Sequence, residues 1–226
     1  MHYFSKLTSK PIEGMARIIK TLFFSILLIS MLPVNGQDST KTKVLVMDLK
    51  AEIDPRTNRL IKLGLEQAES MEADLIIIEM DTYGGLVTDA NDIRTQILSF
   101  ETPIYVFINE DAASAGALIS IACDSIYMAP GANIGAATVV TQDGQAAPDK
   151  YQSYMRSIMR STAQEKGRDP NIAEAMVDEN IEIEGVTEEG SVITFSTDEA
   201  IQHGFCEGKV NSVEEILELN NIEDYF

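Results

Sequence analysis

The sequence predicts an α/β domain built on a mostly parallel sheet with flanking helices, on three observations. From residue 44 onward, short β-type apolar runs alternate with longer stretches of helical periodicity, the pattern of βαβ units. One run, Leu75–Met80, is apolar except for Glu79, as expected of a strand covered on both faces. The chain has 226 residues, 45% of them hydrophobic, which suits one full-sized domain with a substantial core.

Taken in order, Val44–Leu49 reads as a first strand. Pro55–Met71 is an amphipathic helix with Leu60, Leu63, Leu65 and Ala68 among its apolar positions. After the strand Leu75–Met80, Asp89–Phe100 reads as a helix, Ile104–Ile108 as a strand, and Ser114–Cys123 as a helix of small and apolar residues. Ile126–Ala129 is another short strand. Thr138–Asp149 is rich in Gly, Ala and Pro, lacks periodicity, and predicts a mobile loop. Lys150–Lys166 is a helix with Tyr151, Tyr154, Met155, Ile158, Met159 and Thr162 as its apolar stripe, and Asn171–Val177 is a shorter one. Asp178–Glu189 carries six acids and no base, a solvated segment. Ser196 and Glu199, then Ser212 and Glu215, have capping-box spacing and open two last helices, the first ending at Gly204 and the second near Leu219.

The first 36 residues form a different unit. Lys6 to Lys20 make a basic region, Leu22–Leu32 is apolar apart from Ser25 and Ser30, and Pro33 precedes the small residues Val34-Asn35-Gly36. This is the anatomy of a secretory signal peptide, and Met15 is an alternative start. The rival is an uncleaved anchor, although the run is shorter than the roughly 20 residues of a membrane span. Residues 37–43 read as a polar linker and residues 44–226 as the folded domain, exported to a periplasmic or other extracytoplasmic location.

Composition narrows the chemistry. Residues 37–226 hold 13 bases against 35 acids, net −22, which argues against a duplex DNA or RNA binder, since phosphate neutralisation needs clustered Lys and Arg. His203 is the only histidine after the leader, and Cys123 and Cys206 are the only cysteines. A zinc site of His and Cys ligands is therefore not expected; carboxylates leave a cation site open, although no EF-hand spacing appears and no cofactor is called for. The two cysteines read as separately buried thiols, with a disulfide as the alternative.

Two glycine-bearing turns follow consecutive predicted strands: Asp81-Thr82-Tyr83-Gly84-Gly85, and Ala112-Ala113-Ser114-Ala115-Gly116. In a parallel sheet both lie on one edge, where α/β folds place their sites. Ser114 is a hydroxyl at a helix start with nothing bulky beside it. The Ala115 N–H emerges from that helix N-terminus, and Gly84 and Gly85 allow close approach to a backbone donor. A hydroxyl with two convergent N–H groups is the equipment of acyl transfer through an oxyanion. Each turn has an ordinary alternative, an N-cap serine and a tight turn.

Ile78–Gly85, Ala112–Ala117, Ile134–Ala137, Ser161–Arg168 and Thr197–Ala200 with Gly204 together make the chain similar to the NfeD-like membrane-bound serine proteases. These belong to the ClpP/crotonase-like fold group and are related to signal peptide peptidase A. The resemblance spans about Lys43 to Val210. It implies a serine-type peptidase with Ser114 as nucleophile and the N–H groups of Gly84 or Gly85 and of Ala115 as oxyanion hole. It also implies hydrophobic peptide substrates, with stomatin-type membrane proteins as partners, and a homo-oligomer. The family's downstream membrane helices and small β-barrel domain have no counterpart before Phe226, so the chain reads as the protease domain alone.

That resemblance brings a lysine base, and here the sequence departs from it. Arg160 stands where the family lysine precedes the Ser161-Thr162-Ala163-Gln164-Glu165 run, and arginine stays protonated. The wheel places Arg160 roughly 170° from the apolar stripe. Lys150, at the start of the same helix and directly after the loop, is the substitute general base, although about 15 Å along the helix from Arg160. His203, before Gly204 at a helix end, reads as a structural C-terminal residue. Two rivals stand beside the protease: a binding or scaffold protein that has lost its lysine, and a crotonase-type acyl-CoA enzyme, which an exported location disfavours.

Overall fold

The computed structural model describes residues 41–187 and 190–226; the leader and most of the linker lie outside them. The elements are β1 (Val44–Leu49), α1 (Pro55–Met71), β2 (Leu75–Thr82), α2 (Val87–Leu98), β3 (Ile104–Ala113), α3 (Ala115–Ala122), β4 (Ser125–Met128), β5 (Asn133–Gly135), α4 (Asp149–Glu165), α5 (Pro170–Ala175), β6 (Thr194–Ser196), α6 (Thr197–Gln202), β7 (Gly208–Lys209) and α7 (Val213–Leu219).

Strands β1, β2, β3, β4 and β7 pair in that order, all in parallel. A second path leaves the end of β3, where Ala113 pairs with Gly135 of β5 in parallel and β5 pairs with β6 antiparallel. The sheet is therefore mostly parallel, as expected. β2 explains why: Leu75, Ile76, Ile77, Ile78 and Met80 are all buried, and a strand apolar on both faces needs cover from helices on both sides. α3 is buried at every position, so it is a core helix without a polar face. α2 packs on α3, α3 on α4 and α4 on α5.

Two short strands, β5 and β6, had no sequence signal, and β3 extends five residues beyond Ile108 through the polar stretch Asn109-Glu110-Asp111. Their backbone partners, not their side-chain pattern, make them strands. The linker is also partly domain. Thr42 and Val44 donate to Asp224 and Phe226 at 2.8 and 3.1 Å, and Lys41 pairs with Asp224 at 3.0 Å. The loop 138–149 is a small hairpin: Val140 bridges Ala146, and Ala147 N–H donates to Val139 O at 2.9 Å. The Gln152 side chain closes it by accepting from Val139 N–H and donating to Val139 O. In 181–186 the acids face solvent while Ile181, Ile183 and Val186 pack against the core. Both capping serines open helices, α6 and α7. Cys123 and Cys206 are separate buried thiols.

Candidate active site

Ser114 sits at the junction of β3 and α3 with φ 54° and ψ −113°. Non-glycine residues rarely adopt positive φ, and such strain persists only where the surroundings over-determine it. Here they do. The Ser114 N–H donates to Gly135 O at 2.8 Å, and its carbonyl accepts from Ala117 and Leu118 at 3.0 and 3.3 Å. A serine before a helix ordinarily caps it. Ser114 makes no side-chain cap bond, so its hydroxyl is left without that duty.

The glycine turn after β2 closes against it. β2 and β3 are parallel neighbours, with Thr82 opposite Ala112, so both turns emerge on the same edge. A Cβ on Gly84 would lie 2.7 Å from Ser114 Cβ and 3.2 Å from Ser114 Oγ. Gly84 has φ 110° and Gly85 φ 153°, and a Cβ on Gly85 would meet Ile53 O at 2.1 Å. Each must be glycine, one for the serine and one for the strand-like clamp on Ile53. The Ile53 N–H donates to Gly84 O, and Leu86 N–H donates to Ile53 O, both at 2.8 Å.

The donors divide unequally. Gly84 N–H donates to Thr82 Oγ1 at 3.1 Å, so it is occupied. Neither the Gly85 N–H nor the Ala115 N–H has a hydrogen-bond partner among the described residues. Of the two glycines, Gly85 thus offers the open donor and Gly84 the close packing.

Two clefts flank the turn. One, of about 490 Å³, is lined by Lys50, Glu52, Asp81, Tyr83, Gly84 and Gly85. The other, of about 550 Å³, is apolar and lined by Leu86, Val87, Thr88, Lys150, Tyr151 and Tyr154. The α4 stripe is accordingly divided. Met155, Ile158, Met159 and Thr162 are buried, whereas Tyr151 and Tyr154 are 49% and 48% exposed and face this cleft.

The lysines sort by partner. Among the described residues, Lys41 pairs with Asp224, Lys43 with Glu72, Lys166 with Asp124 and Lys209 with Asp198. Lys50, beside Gly84 and Gly85, is held by Asp48 and Glu79; hydrogen bonds to both carboxylates raise its pKa, so it stays charged and cannot act as a base. Lys62 and Lys150 alone have no carboxylate at ion-pair distance among the described residues, and of these two Lys150 lines the apolar cleft beside the turn. It is exposed, with its ammonium 4.6 Å from the Tyr151 ring centroid. Arg160, ten residues further along α4, forms an ion pair with Glu174 of α5. His203 closes α6 and stacks on Phe195 at 5.2 Å. No described side chain hydrogen-bonds Ser114 Oγ.

A parallel sheet that delivers a strained, uncapped serine against a glycine turn is found here in a domain of the ClpP-like fold, which it shares with solved structures. Residues 43–225 match the model of the NfeD1b N-terminal domain, and the chain belongs to that family. It is 34% identical over 200 residues to membrane protein NfeD1b of Bacillus subtilis, covering 88% of this chain and 46% of that protein. It is 30% identical over 189 residues to membrane-bound protease PH1510 of Pyrococcus horikoshii, covering 80% and 40%. The chain thus spans less than half the length of these relatives. Among solved structures, a serine-to-alanine mutant of the 1510-N membrane-bound stomatin-specific protease superposes with TM-score 0.70 at 29% identity, over 79% of this chain and 84% of that one. A lysine-to-alanine mutant of 1510-N, in complex with a substrate peptide, gives the same TM-score and identity over 79% and 80%. ClpP1 from Listeria monocytogenes, at 18% identity and TM-score 0.57 over 77% and 94%, shares the fold. Among the described residues no helix is long and apolar enough to cross a membrane.

The sequence pointed to Ser114, Gly84, Gly85, Ala115 and Lys150, and all five stand on or beside this edge. Two contributors were missed. Gly135 supplies the carbonyl that holds the strained serine, and Thr82 occupies the Gly84 N–H. Both lay inside runs that carry the family resemblance, but nothing in the sequence assigned either one a role.

Proposed function

We propose that the domain is an extracytoplasmic serine endopeptidase, with residues 1–36 as its export signal and residues 37–43 leading into it. The observation that carries this is Ser114: strained at φ 54°, not capping its helix, and packed against Gly84. Its Oγ attacks the scissile carbonyl and its proton passes to the Lys150 amine. The resulting oxyanion accepts from the N–H groups of Gly85 and Ala115. The tetrahedral carbon then expels the amine product, which takes the proton, and water hydrolyses the acyl-serine. For Lys150 to serve, its ammonium must lose water and its proton, and an apolar peptide lying in the cleft of Leu86, Val87, Tyr151 and Tyr154 supplies that desolvation. The apolar lining favours hydrophobic segments. Stomatin-type membrane proteins are the first candidates, because the similar 1510-N protease is stomatin-specific. Association into a homo-oligomer belongs to the same proposal.

One observation favours a second reading, a catalytically silent binding domain of the same fold. Arg160 is committed to Glu174, and Lys150 is exposed to water. A fluorophosphonate probe decides between them. Labelling in the wild type, lost in Ser114→Ala, retained in Arg160→Ala and reduced about 100-fold or more in Lys150→Ala, is the expected result. Labelling that survives Ser114→Ala excludes the nucleophile. Full labelling in Lys150→Ala excludes that base, and an unlabelled wild type favours the binding domain.

A further inference from the structure

We propose that Thr82 is a positioning residue of the Ser114 site, whose hydroxyl holds the glycine turn in register with the nucleophile helix. The proposal rests on the serine-protease reading above. Thr82 ends β2 and is 3% exposed. Its Oγ1 donates to Ala51 O at 2.7 Å and accepts from Gly84 N–H at 3.1 Å. A single buried hydroxyl therefore joins two segments, residues 51–53 and the turn. The same two segments are joined again by the bonds between Ile53 and its partners Gly84 and Leu86. The turn is thereby fixed on the side away from Ser114.

The methyl of Thr82 does something separate. A Cβ on Gly116 would meet Thr82 Cγ2 at 2.6 Å, so the methyl occupies the notch that Gly116 leaves in α3, two residues after Ser114. One side chain touches the turn through its oxygen and the nucleophile helix through its carbon. Valine would fill that notch equally well, and a buried hydroxyl without partners is unfavourable. The oxygen's distinct contribution is the bond it accepts from Gly84. That bond leaves Gly85, not Gly84, as the open donor of the turn. If the turn drifts, the Gly85 N–H moves relative to Ser114 Oγ, and displacements near 1 Å at a reacting centre lower rates about 100-fold.

The test compares Thr82→Val, which keeps the methyl and loses the oxygen, with Thr82→Ser, which does the reverse. Fluorophosphonate labelling of Ser114 and hydrogen exchange at the Gly84 amide are read in both. In Thr82→Val, the maximal labelling rate should fall about 10- to 100-fold with half-saturation unchanged. Gly84 exchange should accelerate about tenfold or more, because its acceptor is gone. Thr82→Ser should stay near wild type in both. Should Thr82→Val not fold, Thr82→Ser against Thr82→Ala isolates the hydroxyl in the same way. Thr82→Val that labels like wild type, or Thr82→Ser that is equally slow, overturns the proposal. A wild-type protein that takes no label at Ser114 overturns the protease reading. Slow Gly84 exchange in Thr82→Val overturns the hold itself, so the two failures have different signatures.

Discussion

Replacing Gly84 with alanine tests the contact on which the site depends, and Gly131→Ala is its natural control. Both glycines have positive φ, 110° and 87°, so both substitutions force an alanine into a backbone region that costs about 1–3 kcal/mol. In a domain of this size that lowers Tm by roughly 2–12 °C. They differ in what the new methyl meets. At Gly131 nothing lies within 4 Å, whereas at Gly84 the methyl would stand 2.7 Å from Ser114 Cβ. Carbon atoms rest at about 3.5–4.0 Å, so Ser114 or the turn must retreat by about 1 Å. A displacement of that order lowers the rate about 100-fold. The assay is the fluorophosphonate labelling rate of Ser114 alongside a thermal melt. Gly84→Ala should lose both stability and labelling, and Gly131→Ala only stability. Near-normal labelling in a folded Gly84→Ala protein would refute the reasoning, as would an equal loss in Gly131→Ala.

Three further predictions concern the frame. The Arg168 side chain, 3% exposed, donates to Ile121 O and Cys123 O at 3.2 and 3.1 Å and pairs with Glu207; Arg168→Met should strand those carbonyls at the end of α3 and lower stability by about 2–4 kcal/mol, and an unchanged urea midpoint would contradict this. Burial pushes the thiols of Cys123 and Cys206 up to about 12 and about 11, so neither should react with iodoacetamide at pH 8 until the protein is unfolded. Hydrogen bonds from the Arg56 side chain and then the Thr57 N–H lower the Asp54 pKa to about 2, from the ordinary 3.8. A depressed carboxylate contributes stability above its unfolded pKa and loses it as pH falls through the folded one. Resistance to urea should therefore fall as pH drops from about 4 to about 2, and less so in Asp54→Asn.

The long elements were legible because side-chain periodicity outlasts local noise over their length. The buried run of β2 and the stripe of α4 are examples, although the first turn of that stripe lines a cleft instead of the core. The short strands β5 and β6 were not legible, since three residues carry no period and their pairing depends on distant backbone. The candidate site divides in the same way. Ser114, Ala115, Gly84 and Gly85 stood out as small residues between a strand and the next helix. Thr82 did not, because its significance lies in accepting the Gly84 N–H. The loop 138–149 read as mobile for want of periodicity, and its hairpin is closed by Gln152, a residue of the next helix.

By itself the sequence determined the parallel α/β class, the strongly acidic charge of residues 37–226 and the pair of small-residue turns. These come from composition and local pattern, which the chain carries at every residue. Only the tertiary structure decided which glycine amide is open, that Ser114 is strained and does not cap its helix, and that Lys50 is held by carboxylates while Arg160 is tied to Glu174. Each of these is a matter of a few ångströms between residues far apart in sequence, and no local pattern encodes such distances.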